Sequence, residues 1–141
     1  MKDLHSNIEV VSVLDPIVVD ATATITDIDL MGWNSAELII ALGLNGGTTP
    51  SVSHKLDFVL YDSDDGTTYA VVETKDMLGV TVTAGSILTT DAAAKYSLVY
   101  HFGYVGGKRY LQLIYTETGT VSVVMGITLV KGHPQDAPVI S

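Results

Sequence analysis

The sequence predicts an all-β protein, an antiparallel sandwich or barrel built from many short strands. Apolar and polar residues alternate over many short segments, and turn-forming residues separate those segments. No stretch shows the apolar period of a helix of normal length. A sheet with one solvent-exposed face has an apolar second face that must be buried against another layer. These segments therefore predict two packed layers.

The most regular part of the chain is the stretch from residue 96 to residue 130. It is interpreted as three long strands, Tyr96–Tyr104, Lys108–Thr116 and Val121–Val130. Gly106-Gly107 and Thr118-Gly119 supply the positive φ that tight turns need. The pattern therefore predicts a three-stranded meander joined by two hairpin turns.

The first part of the chain also alternates. Ile8–Leu14 is predicted as a strand, Asp15-Pro16 interrupts it, and Ile17–Asp20 resumes pairing as an edge strand. Ala21–Thr26 fits either a strand or a loop. Ala36–Leu44 is apolar on both faces, which predicts a strand in the centre of a sheet.

The middle of the chain contains the clearest local hairpin. Lys55–Tyr61 and Thr67–Glu73 alternate on either side of an acidic turn, Asp62–Gly66. The segment Asn45–Ser53 is a loop marked by two glycines and a proline. Thr89–Lys95 contains at most one helical turn.

The length of 141 residues predicts a single domain, 1–141. Residues 1–7 and 131–141 are predicted to be extended arms, because the first segment is polar and the second contains prolines. The inward positions of the predicted strands give the expected core: Leu38, Ile40, Leu56, Phe58, Leu60, Leu98, Leu111, Leu113, Val123 and Ile127.

Charge and composition limit the classes of partner. The net charge of −9 disfavours nucleic-acid backbones and anionic membranes. No apolar run is long enough for a membrane span, no secretory signal is predicted, and the absence of cysteine excludes disulfides and thiolate metal sites. The hydrophobic content of 47% beside only 16% charged residues suggests that a partner covers part of the surface.

The sequence shows no catalytic or metal-binding motif. The acidic turn Asp62–Gly66 lacks the spacing of a calcium loop and is interpreted as a solvated hairpin turn. No two histidines have the spacing of a zinc helix, and no serine lies in a nucleophile elbow. Lys108-Arg109 suits either a bound carboxylate or a salt bridge to an acidic neighbour. We therefore predict no enzymatic activity, no cofactor and no metal.

Two carbohydrate hypotheses stay open at this point. The carboxylate pair of a glycoside hydrolase is defined by spatial distance, so the sequence does not exclude one. A lectin-like sandwich would use the Asn45-Gly46-Gly47 loop or the Asp62–Gly66 loop.

Five segments together resemble a family of small proteins encoded among the head genes of tailed phages and prophages. These are MKDLHSNIEVV, IDLMGWNSAELIIALG, YDSDDGTTYAVV, GYVGGKRYLQL and KGHPQDAPV, and they extend in order over nearly the whole chain. The family has no known catalytic residues. The resemblance implies a virion protein of the cement type that decorates the outside of a capsid. Together with the strand pattern, it predicts an antiparallel β-sandwich of about eight strands with a jelly-roll-like arrangement and extended terminal arms.

The partners expected from this resemblance are the major capsid protein and further copies of this chain, as a homodimer or a homotrimer. Neither nucleic acid nor membrane is expected. The alternatives are a carbohydrate-binding module of a phage head or tail, and a head-completion or tail structural protein. The residues expected at an interface are Trp33, His101, Tyr104, Lys108, Arg109, His133 and Pro134.

Overall fold

The computed structural model describes residues 3–136, apart from the side chain of Thr26, and within that range it contains ten strands and three short 3₁₀ turns. The strands are β1 (Ile8–Val19), β2 (Ala23–Asp29), β3 (Trp33–Asn45), β4 (Lys55–Ser63), β5 (Ala70–Val71), β6 (Met77–Leu78), β7 (Leu88–Thr89), β8 (Val99–Tyr104), β9 (Tyr110–Thr118) and β10 (Val123–Pro134). The 3₁₀ turns are His5–Asn7, Thr74–Asp76 and Ala93–Lys95. The predicted all-β sandwich is confirmed.

The strands form two antiparallel sheets. The first sheet has the order β1-β10-β3-β8-β6, and the second has the order β2-β9-β4-β5, with β7 also paired to β4. The chain folds back on itself in matched pairs: β1 with β10, β2 with β9, β3 with β8 and β4 with β7. Rolling this long double strand brings β10 beside β3 and β9 beside β4. This is the strand order of an eight-stranded jelly roll, with β5 and β6 as short additions.

The predicted three-stranded meander is wrong. Strands β8 and β10 belong to the first sheet, whereas β9 belongs to the second. Gly107 and Gly119 do adopt positive φ, but their turns carry the chain from one sheet to the other. An alternating strand can bury its apolar side in either sheet. The alternation therefore predicts which side chains face inward, but it does not predict which strands pair with each other.

The core lies between the two sheets and contains nine of the ten residues predicted for it. Leu98 is the exception, with 46% of its surface exposed. Ser97 adopts a φ of +57°, which breaks the alternation before Leu98, so β8 begins only at Val99. Leu98 therefore lies outside the core.

The central and edge positions of the first sheet agree with the sequence. Strand β3 lies between β10 and β8, as its two apolar faces predicted. Strand β1 is an edge strand, and its register shifts between Ser12 and Leu14 and between Leu14 and Ile17. Pro16 lies in the second of these irregularities, where its missing N–H costs no ladder hydrogen bond.

The hairpin in the middle of the chain is present in a shorter form. Strand β4 pairs with β5 through Tyr61 with Val71 and Asp62 with Ala70. Asp62 is 3% exposed, so the prediction of a solvated turn is wrong for this carboxylate. It occupies the inward position that follows Leu56, Phe58 and Leu60 along β4.

The predicted C-terminal arm is wrong for residues 131–134. Lys131–Pro134 forms the end of β10, and Pro134 lies opposite Trp33 of β3. At the other end of the chain, His5–Asn7 forms a 3₁₀ turn, and the Asn7 amide donates to the Leu4 carbonyl. Residues 1–2 and 137–141 lie outside the described part of the chain.

Candidate functional site

Four segments converge at one end of the sandwich. They are the N-terminal turn, the β2–β3 loop, the β8–β9 loop and the end of β10. Two neighbouring grooves lie here: the loop groove, of about 420 Å³, and the terminal groove, of about 590 Å³. Tyr104 and Ser35 line both of them.

The loop groove brings together four of the seven predicted interface residues: Trp33, Tyr104, Lys108 and Arg109. The terminal groove holds His133 and Pro134, beside Tyr104. His101 lies apart from both, on the outer face of the first sheet, where its Nδ1 lies within hydrogen-bonding distance of Glu37 Oε1. The interface role of all seven residues stays a prediction.

Arg109 fixes the β2–β3 loop. Its Nε and Nη2 atoms donate to the two carboxylate oxygens of Asp29, each at 2.9 Å. The paired guanidinium keeps the pKa of Asp29 below its usual value, and the Met31 amide donates to the same carboxylate. The Arg109 guanidinium also lies over the ring of Tyr110 at 4.7 Å. Arg109 thus holds the rim of the groove in place.

Lys108 is anchored in a similar way. Its Nζ lies 3.1 Å from Asp62 Oδ1, and this partner raises the pKa of Lys108. Of the two interpretations of Lys108-Arg109, the salt bridge is therefore the one that the structure contains. Because both cations have an acidic partner within the chain, the loop groove is poorly suited to binding a free anion.

Exposed apolar side chains surround these internal ion pairs. Met31 is 69% exposed at the rim of the loop groove, beside the partly buried Trp33. Leu4, Leu78 and Val105 are also exposed, and they line the terminal groove. The end of the sandwich thus combines apolar surface with paired charges, as protein-binding surfaces do.

The acidic turn has a structural role of its own. Asp65 accepts hydrogen bonds from the backbone amides of Thr68 and Thr67 and from the hydroxyl of Ser63. These donors lower the pKa of Asp65 to about 2. Within residues 3–136, no group of three or more His, Asp or Glu side chains is arranged to hold a metal ion. In the same residues, no helix has the length and apolar character needed to cross a membrane.

Sequence reasoning missed the burial of Asp62 and the pairing of this acid with Tyr104 and Lys108. A usable indication was present, because Asp62 falls on the inward side of the alternation that begins at Leu56. An acid at such a position needs donors nearby. Their identity depended on the strand pairing, which the sequence did not reveal.

No protein-family model matches the chain, and no curated protein matches it significantly. The chain is similar to the structure of infectious bursal disease virus, Gx strain, at 14% identity and a TM-score of 0.39, over 93% of this chain and 33% of that one. It is also similar to the Yersinia pseudotuberculosis-derived mitogen YPM, at 12% identity and a TM-score of 0.32, over 90% of this chain and 97% of that one.

A third similarity is to the VP2 subviral particle of infectious bursal disease virus, at 16% identity and a TM-score of 0.29, over 91% of this chain and 42% of that one. The chain spans about a third of the first viral chain that it matches. These TM-scores are too low to carry a functional argument. The two-sheet fold rests on the strand pairing, and the resemblance to phage head proteins stays a prediction.

Proposed function

We propose that this chain is a structural virion protein that decorates the outside of a tailed-phage head and stabilises the shell. Its partners would be the major capsid protein and further copies of itself, as a homodimer or a homotrimer. It would have no catalytic activity. The resemblance of five sequence segments to phage head proteins supports this proposal, and the jelly-roll topology is compatible with it.

The observation that carries the proposal is the chemistry of the two grooves. Exposed apolar side chains, with Met31 foremost, lie beside cations that are already paired within the chain. Burying this apolar area against a partner is energetically favourable, whereas the paired cations would bind a phosphate or a sulfate only weakly. It therefore favours another protein as the partner.

The net charge of −9 fits a position outside the shell. A protein with this charge is repelled by packaged DNA, so binding to the inner side of a filled head would be opposed electrostatically. On the outer side, the same charge favours solubility and discourages non-specific association.

A matched pair of variants tests the use of the grooves. Met31→Glu places a charge at the rim of the loop groove, while Val52→Glu places the same charge in the β3–β4 loop at the opposite end. The two parent side chains are similarly exposed, at 69% and 74%. Binding of the full chain to undecorated capsids is measured by co-sedimentation.

We expect the wild type and Val52→Glu to bind alike, and Met31→Glu to bind at least about tenfold more weakly, since a charge buried in an apolar contact is costly. Equal binding by all three proteins would contradict the role of the grooves. Failure of the wild type to bind capsids would contradict the decoration function itself.

A further inference from the structure

The outer face of the first sheet is apolar, although no other element of the described chain covers it. Register places outward side chains from five strands side by side on this surface, which we call the apolar face. Its apolar members are Val10, Pro16, Val18, Ile39, Ala41, Leu78, Val99, Val124 and Val130. Ser12 and Thr128 are uncharged polar members, and Leu78 and Val130, at one end of the face, also line the terminal groove.

Glycines make the apolar face flat. A Cβ on Gly126 would lie 3.2 Å from Cγ of Pro16, so the proline ring covers this glycine. Leu78 covers Gly103 in the same way, at 3.0 Å. Pro16 and Leu78 thus fill the space above the two glycines and leave a flat surface. A flat surface is suited to the packing of one sheet on another.

The apolar face carries little charge. Glu37 and His101 lie on it next to each other and form a pair, and Asp15 is at its rim in the bulge of β1. On the outer face of the second sheet, Lys55, Asp57, Gln112 and Thr116 occupy outward positions beside the apolar Val59, Tyr61 and Ile114. The ion pair of Lys55 and Asp57 thus adds charge at the outer face of the second sheet.

The sheet edges are poorly suited to strand addition. Strand β1 contains Pro16 and two register shifts, and β6 has only two residues. In the second sheet, β2 has a register shift between Ile25 and Ile28, while the opposite edge is formed by the two-residue strands β5 and β7. Short, irregular or proline-containing edges resist pairing with another chain, so a partner has to use a face.

We propose that a second copy of this chain packs against the apolar face, in a two-fold dimer of first sheet on first sheet. Electrostatics selects the face that a second copy would use. Two chains of net charge −9 repel each other over most of their surfaces, and they can approach with least repulsion where charged side chains are few. A two-fold axis near Ala41, on the central strand β3, makes the flat face complementary to itself.

The area of the apolar face limits this dimer. Five strands span four spacings of about 4.8 Å, and with about eight residue steps of 3.4 Å along them the face covers at most roughly 500 Å² per copy. Two copies bury roughly 1,000 Å², which is the lower limit for a specific interface. We therefore expect a weak dimer, with a Kd on the order of 10–100 µM, that forms readily where copies are concentrated.

This inference deepens the homo-oligomer part of the proposed function and chooses the dimer. Its test needs no capsid, so its failure can be told apart from failure of the decoration function. Sedimentation equilibrium of the full chain from about 10 µM to about 1 mM measures association. Ala41→Glu places a charge at the centre of the apolar face, and Thr24→Glu places the same charge on the exposed outer face of the second sheet.

We expect the wild type and Thr24→Glu to dimerise with similar Kd values, and Ala41→Glu to dimerise at least about tenfold more weakly. The chain contains no cysteine, so single-cysteine variants give a second measurement. A short bis-maleimide should cross-link Ala41→Cys into dimers and leave Thr24→Cys monomeric. A wild type that is monomeric throughout, an equal effect of both glutamates, or equal cross-linking of both cysteines would overturn the proposal.

Discussion

The hydroxyl of Tyr104 donates a 2.9 Å hydrogen bond to Oδ2 of Asp62, joining the two sheets across the core. Lys108 completes the arrangement, with its Nζ at 3.1 Å from Oδ1 and its amide donating to the Tyr104 hydroxyl at 3.2 Å. Burial, reinforced by the Asp62 carboxylate, raises the pKa of Tyr104 well above its usual value. Tyr104 therefore remains a donor at every ordinary pH, and the bridge also supports the wall of the loop groove.

Replacing Tyr104 with Phe should destabilise the fold by about 1.5–3 kcal/mol, because a buried carboxylate loses a donor. Tyr61→Phe is the matched control, since Tyr61 lies on the outward side of the same strand as Asp62. Denaturant unfolding of both variants measures the difference. Equal stability of Tyr104→Phe and the wild type would show that the bridge contributes nothing.

The core assignments can be tested by truncation. Phe58→Ala and Leu113→Ala should each cost about 2–5 kcal/mol, because both side chains are fully buried between the sheets. Leu98→Ala should cost well under 1 kcal/mol, since Leu98 is largely outside the core. A large loss at Leu98 in chemical denaturation would contradict the turn that Ser97 introduces.

Two glycines with similar φ separate backbone strain from steric overlap. Gly107 has a φ of +74° with open space where a Cβ would be, so Gly107→Ala should cost about 1–2 kcal/mol. Gly119 has a φ of +68°, and a Cβ there would overlap the carbonyl oxygen of Ser53 and the ring of His54. Gly119→Ala should therefore be clearly the more destabilising in thermal unfolding. The reverse order would be inconsistent with the close approach of the β3–β4 loop.

The acidic turn predicts a dependence on pH. The pKa of Asp65 is lowered to about 2 from 3.8, so its hydrogen bonds stabilise the folded state above pH 3.8. That contribution is lost as the pH falls from 3.8 through about 2. Asp65→Ala should be less stable than the wild type at pH 5, and the difference should shrink towards pH 2. NMR titration of the carboxyl carbon gives the pKa directly, and a normal value would contradict these contacts.

The sequence predicted the strand content and nearly all inward faces, because burial imposes a period of two on each strand locally. It did not predict which strands pair. Gly107 and Gly119 allow a hairpin turn or a crossing to the other sheet equally well, and only the packing of the whole chain decides between them. Lys131–Pro134 was misassigned to an arm for a related reason, since its partners in β1 and β3 are far away in sequence.

The candidate site was predictable in part. Trp33 lies beside Lys108 and Arg109 in the loop groove, although about half of the chain separates it from them in sequence. They are brought together by pairing between strands that are distant in sequence, which local patterns do not predict. The apolar face had a sequence counterpart in β3, where Ile39 and Ala41 alternate with core residues. That pattern predicts a central strand, which β3 is, and it also corresponds to an outer surface that no element of residues 3–136 covers.

Imaging of the intact particle by cryo-electron microscopy tests the decoration function most directly. The proposal predicts density for this two-sheet sandwich on the outer surface of the head, at symmetry-related positions, with the loop groove facing the shell. Density for the chain inside the shell, at the neck or in the tail, or its absence from the particle, would contradict it.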